Sequence, residues 1–206
     1  MKRIHSDAAV SLLPAPAKAA RRRAVAQAWI EAIAEDPAAV SALAVARRVL
    51  AGGEDLRALR RVRLIEIEGA LPDAQELALR LHDSTRFYNP HKERCAVRRQ
   101  GGDASPLAAG ERAVLVFDRD GERRPAAERW WKRVTGDTVR VREGTAWVGE
   151  AASGARRDAL LAGLLPVAGL GSGLLCNAHA QEFRCAEGTV PLPWFSSPPR
   201  TRRKKA

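Results

Sequence analysis

Two short segments gather the residues best suited to hold a metal ion or to act as nucleophiles. The first runs Asn89, Pro90, His91, Lys92, Glu93, Arg94, Cys95. The second repeats it in part as Cys176, Asn177, Ala178, His179, Ala180, Gln181, Glu182, Phe183, Arg184, Cys185. All three cysteines and two of the four histidines of the chain fall in these stretches. With Pro90 opening a helical turn, His91 and Cys95 stand four apart and face the same way. Cys176 and His179 have the two-residue separation that lets both reach one ion. His91, Cys95, Cys176, His179 and Cys185 are therefore candidate ligands of a tetrahedral zinc site. Paired CxxC motifs are absent, and a free cysteine is commonly a small buried hydrophobe. The enzymatic variant of the same set is a cysteine nucleophile activated by one of the histidines.

A second constellation is Ala113, Val114, Leu115, Val116, Phe117, Asp118, Arg119, Asp120, Gly121. It resembles the first motif of the haloacid dehalogenase-like phosphatases, an apolar strand running into DxDG. The likeness covers nine residues and implies Asp118 as nucleophile and Asp120 as acid/base of a phosphohydrolase. The chain departs from that motif at Glu122, where Thr or Val is expected, and supplies no downstream acidic pair for magnesium. The same residues also suit a tight turn between strand and helix, where Asp and Gly are favoured. Gly169 to Gly173 is a glycine-rich stretch whose backbone could approach a phosphate, but no lysine follows it as a phosphate-binding loop requires.

Charge points to a different kind of partner. The 206 residues carry 35 Lys plus Arg against 24 Asp plus Glu, a formal +11. Residues 1–70 hold 12 basic and 8 acidic side chains, residues 71–150 hold 15 and 13, and residues 151–206 hold 8 and 3. The excess is concentrated at Arg21, Arg22 and Arg23 and at Arg200, Arg202, Arg203, Lys204 and Lys205. Such clusters steer phosphate or acidic surfaces toward the protein. Phe87 and Tyr88 alternate beside Arg86, Lys92, Arg94, Arg98 and Arg99, so Tyr88 could stack a base on an open sheet face while the cations hold phosphates. Trp194 and Phe195, set among prolines ahead of the basic end, read as an anchor for a partner or a neighbouring subunit.

Periodicity supplies the framework on which these residues sit. Val25, Ala28, Trp29, Ala32 and Ile33 fit a helical stripe over residues 16–35, and Asp36 with Pro37 caps a second helix carrying Ala42, Val45, Ala46 and Val49. A third short helix is expected at 54–61, so residues 1–61 read as a helical leader docked on the main domain. Residues 62–68 read as a strand, and Asp73 with Glu76 starts a helix. Short strands are expected at 86–88 and 95–98, the clearest strand at 112–117, a helix at 125–135 ending at Gly136, and a hairpin at 138–149. Two successive strand-helix-strand units over 62–150 predict an α+β ferredoxin-like βαββαβ sandwich. Residues 151–190 form a helix and glycine-rich extension, with the helix near 160–165, and 191–206 an extended basic tail.

No apolar window is long enough to span a membrane, and residues 8–13 are too short for an export core. With an odd cysteine count, this predicts a cytoplasmic protein with reduced thiols. The expected function is that of a non-catalytic RNA- or DNA-binding subunit of a larger assembly, whose partner is nucleic acid or an acidic protein. The alternative is an enzyme, either zinc-dependent or a phosphohydrolase. Retention of a metal and salt-sensitive nucleic-acid binding discriminate the two.

Overall fold

The first strand is the one that periodicity reads as a helix. Arg23–Ala32 is β1, and its burial is nearly continuous from Ala26 to Ile30. Ala26, Ala28 and Ile30 face one apolar core while Gln27 and Trp29 face another, so no wet side remains to produce a two-residue alternation. Ala24, Ala26, Ala28 and Ala32 share one face and Gln27 and Trp29 the other, and with both faces buried the apolar spacing also fits a helix; the expected helix over 16–35 is instead a strand over 23–32.

A computed structural model describes residues 23–100, 102–152, 164, 174–177 and 179–196. After β1 come α1 (Pro37–Val49), a 3-10 turn (Gly53–Asp55), β2 (Leu56–Ala70), α2 (Ala74–Ser84) and β3 (Glu93–Arg98). The chain continues with β4 (Glu111–Asp118), α3 (Pro125–Thr135), β5 (Val139–Ala151) and β6 (Gln181–Glu187). Among the described residues the fold is α+β, with one six-stranded antiparallel sheet of order β3-β1-β2-β5-β4-β6 and three α-helices. The expected boundaries at residues 61 and 150 fall inside β2 and β5 of that single sheet. A four-stranded βαββαβ sheet over 62–150 is not what forms, because β1 inserts between β2 and β3.

Several local expectations hold. Asp36 caps α1 by accepting from the Ala38 amide at 2.9 Å, with Pro37 in the first turn. Asp73 caps α2 through the Glu76 amide at 2.8 Å. Gly136 stops α3 in the left-handed conformation at φ 74°. Others do not hold. The helix at 54–61 reduces to one 3-10 turn before β2 begins. Residues 86–88 are loop, not strand: Thr85 turns the chain at φ 49°, and Phe87 and Tyr88 both sink into the core beneath α2 and α3. The hairpin at 138–149 is one continuous strand, β5, in unbroken register with β2 through Glu143, Gly144 and Thr145. A Cβ on Gly144 would meet the Val116 carbonyl oxygen at 2.8 Å. This glycine therefore serves close approach of β4, not a turn.

The sheet is built twice. β1, β2 and β3 stand in the order β3-β1-β2, and β4, β5 and β6 in the mirrored order β5-β4-β6, with the β2–β5 ladder between. Each half runs strand, helix, adjacent antiparallel strand, and ends with a strand at the sheet's outer edge. Arg63 opposite Thr145 lies near the middle of the central ladder, so a rotation about that point exchanges the halves. The partial repeat of Asn89 to Cys95 at Asn177 to Cys185 follows this symmetry at Asn89 and Asn177 and at His91 and His179, which occupy the same turn before β3 and before β6, whereas Cys95 corresponds to Phe183.

The face of the sheet away from the helices is also covered. Trp194 and Phe195 are buried there with Trp29, Leu64, Leu115 and Phe117, and the Trp29 and Trp194 rings stack at 5.9 Å. The tail expected to hold a partner is thus, over 191–196, a strap on its own sheet. Apolar burial of two large aromatics outweighs any gain from exposing them. Leu164 packs with Ala46, Leu56, Leu59 and Leu175. The remainder of the helix expected near 160–165, Gly169 to Gly173, Arg21, Arg22 and the basic residues from Arg200 to Lys205 lie outside the described residues, as does the side chain of Arg23. No helix among the described residues is long and apolar enough to cross a membrane.

Candidate phosphate-binding cleft

Three arginines from separate segments converge on the helix side of the sheet. Arg63 comes from the centre of β2, Arg86 from the loop after α2, and Arg124 from the position that caps α3. With Ile65, Phe87, Ala126, Ala127, Val141 and Glu143 they line a cleft of about 300 Å³. The floor is made by neighbouring residues of β2 and β5, which the antiparallel register sets side by side: Ile65 is paired directly with Glu143. One wall is the first turn of α3, whose unbonded amides favour a negative ligand. The other is Phe87, fixed by the edge of Trp130 at a ring distance of 5.7 Å.

Glu143 organises the cations. Its carboxylate accepts from Arg124 Nε at 2.8 Å and lies 2.8 Å from Arg124 Nη2, a two-pronged pair, and it stands 4.0 Å from Arg63 Nη1. Arg63 is also bonded to Glu93 at 3.1 Å. The hydrogen bond that Arg124 donates to Glu143 pushes the Arg124 pKa up, so that guanidinium stays charged. Arg86 is exposed and has no ion pair among the described residues. Glu143 and Glu93 offset two of the three cations, and Arg86 leaves the recess positive by one charge. Beside it, α3 presents Arg129, Lys132 and Arg133 to solvent, while the helix's single acid, Glu128, is bound to Arg123.

The counterpart of this arrangement in the first half has its charges exchanged. Arg61 lies two residues before Arg63 on β2, and Glu143 lies two residues before Thr145 on β5. Arg61 donates to Asp36 at the cap of α1 at 2.7 Å, whereas Glu143 accepts from Arg124 at the cap of α3. The carboxylate of Asp36 fills the head of α1 itself. At α3 the cap is a cation, and the helix start stays open to an outside anion.

The residues singled out from sequence are distributed differently. Tyr88 is buried, and its hydroxyl meets His82 Nδ1 at 3.0 Å, so it offers no surface to a base. Arg98 is 3% exposed and donates to the Val190 carbonyl at 2.6 Å, which ties down the strap. Lys92 and Arg94 are exposed at the β3 edge, with His91 in the turn before it. Of the nucleic-acid candidates with described side chains, only Arg86 lines the cleft. Arg63 and Arg124 escape sequence reading because nothing in their spacing announces that the sheet register brings them together.

The metal candidates are not gathered. His91 and Cys95 belong to the β3 edge, and Cys176, His179 and Cys185 to the β6 edge. Five strand spacings, about 24 Å, separate the two. Among the described residues no three His, Cys, Asp or Glu side chains stand close enough to share an ion. Burial pushes the Cys95 thiol up to about 11, and it raises Cys176 as well, opposing the thiolate that a ligand or nucleophile needs. Asp118 ends β4 with its carboxylate accepting from Gln181 at 3.1 Å, and Asp120 is exposed in the turn just beyond. Comparison of the chain with protein-family models, with curated proteins and with solved structures finds no match.

Proposed function

We propose that this protein binds nucleic acid, with the arginine cleft as the site that receives backbone phosphate. The observation that carries the reading is the convergence of Arg63, Arg86 and Arg124 at the open head of α3. Arg86 can pair with phosphate through two parallel N–H bonds, Arg124 keeps Nη1 for one while Nε and Nη2 hold Glu143, and a helix start adds its own amides. The exposed Arg129, Lys132 and Arg133 extend the positive surface along α3 and give an incoming strand a track toward the cleft. Basic residues at both ends of the chain add steering without sequence preference.

We read the site as one for recognition, because its arginines and apolar side chains suit the holding of a phosphate-bearing ligand. Within the cell we place the protein in the cytoplasm as the binding subunit of a larger nucleoprotein assembly, a role suited to the basic surface that α3 presents beside the cleft. The test is fluorescence anisotropy with RNA and DNA oligonucleotides at two salt concentrations, using the full chain. Salt-sensitive binding that weakens in Arg86→Ala and Arg124→Ala is the expected result. Binding that neither salt nor these substitutions alter would remove the reading.

A further inference from the structure

We infer that the cleft takes one unpaired nucleotide of a single strand, a reading that rests on the nucleic-acid binding proposed above and narrows it. The recess has two chemistries in layers. Its floor and inner wall are apolar: Ile65 and Val141 from the central strands, Phe87, and the small Ala126 and Ala127 of α3. Its rim carries Arg63, Arg86 and Arg124. A simple oxyanion has no use for the apolar floor, and an uncharged apolar ligand has no use for three cations. A nucleotide satisfies both, with its flat base or sugar below and its phosphate at the rim.

Size and pairing then select the strand type. About 300 Å³ lies at the small end of ligand clefts and has room for one nucleotide unit. A base held in a duplex is stacked on both faces and bonded along its edge, so it reaches a recess only by flipping out at considerable cost. An unpaired base enters without that cost. Arg124 spends its Nε and Nη2 on Glu143, which leaves Nη1 as the group that turns to a phosphate. Arg86 brings a charge that no carboxylate of the described protein offsets.

The experiment compares labelled single-stranded RNA and DNA with the matching duplexes by anisotropy, on the full chain and on Ala126→Trp, Ala126→Leu and Arg86→Ala. Ala126 is exposed on the first turn of α3, so larger side chains there fill the recess without removing a charge. Single strands of either backbone should bind about tenfold or more tightly than duplexes. Ala126→Trp and Ala126→Leu should bring single strands down to the duplex level while circular dichroism and melting stay unchanged. A mononucleotide should displace the single strand at a concentration where inorganic phosphate does not. Equal affinity for single strands and duplexes, or indifference to both Ala126 variants while Arg86→Ala still weakens binding, overturns the inference and leaves nucleic-acid binding standing. Absence of salt-sensitive binding to every probe overturns both.

Discussion

Asn89 and Asn177, at opposite edges of one sheet, close the same turn with the same bonds. Each side-chain oxygen accepts from the amide two residues on, His91 at 3.1 Å and His179 at 3.0 Å. Each backbone carbonyl accepts from the amides three and four residues on, and each amide donates to the side chain four residues on, Glu93 at 2.7 Å and Gln181 at 3.0 Å. The turn starts the edge strand of each half. Replacing either asparagine with alanine should cost about 1 kcal/mol, the usual worth of a capping-type side-chain bond. The sites lie at opposite edges and opposite ends of the sheet, more than ~24 Å apart, with no shared partner, so the double variant should lose the sum, read by chemical denaturation. A double variant no weaker than one single variant would show that the turns are not independent.

Gly144 separates two accounts of the segment 138–149. As the tip of a hairpin it would accept a side chain; as the point where β4 crosses close to β5 it cannot. Gly144→Ala places a methyl 2.8 Å from the Val116 carbonyl oxygen and 2.9 Å from Leu115 Cδ1. A loss of about 1–3 kcal/mol is expected, as for other overpacked sites. Gly149→Ala, where the nearest atom is Leu56 Cδ1 at 3.6 Å, is the control and should change stability little.

What could be read in advance was whatever depends on neighbours along the chain. Asp36 with Pro37, Asp73 with Glu76, and Gly136 are local devices, and each marks its helix end where the residue type says it should. The stripe of α1 was legible only in part, because Ala42 and Ala46 pack inward while Val45 and Val49 are left exposed. β1 was illegible because burial on both faces erases alternation, and Gly144 because a glycine needed for close approach looks like a glycine needed for a turn. The cleft depends on which strands become neighbours. Of its three arginines only Arg86 stands among basic residues that sequence singles out; Arg63 and Arg124 meet through the β2–β5 register.

Trp194 holds the strap from inside. It is fully buried, stacked on Trp29, and its amide donates to the Glu66 carboxylate at 2.7 Å. Gln27 bonds the Pro191 carbonyl at 2.8 Å, and Arg142 bonds Ser196 at 2.8 Å. Trp194→Ala should cost about 3–5 kcal/mol, the range for a large aromatic removed from a core. Limited proteolysis should then cut within 188–196 before the sheet is attacked. Cleavage elsewhere first would mean the strap is not the part that Trp194 secures.

The thiol of Cys95 gives an alkaline pH dependence with a definite sign. Burial raises its folded pKa from about 9 to about 11, so the folded state holds the proton more tightly than the unfolded chain. Stability from this group is therefore complete below pH 9 and is lost as pH climbs through about 11. Cys95→Ala should narrow the loss of stability between those limits relative to the unsubstituted protein, measured by denaturation at stepped pH. The same burial should keep Cys95 slow toward alkylating reagents at neutral pH. Rapid modification of Cys95 in the folded protein at pH 7 would contradict both.

The salt dependence of binding counts the cations that meet phosphate. If Arg86 holds one phosphate of a single strand, its removal should lower the slope of log affinity against log salt by about 0.7. Arg63→Ala and Arg124→Ala should each do the same. Glu143→Gln poses the sharper question, since two effects compete there. Loss of a negative charge should tighten binding by long-range attraction, whereas loss of the two-pronged pair frees Arg124 from the orientation that points it at the cleft. At high salt the long-range part is screened and orientation remains. Glu143→Gln should therefore bind at least as tightly as the unsubstituted protein at low salt and more weakly at high salt. Parallel salt curves for the two proteins would mean that Glu143 does not position Arg124 for a ligand.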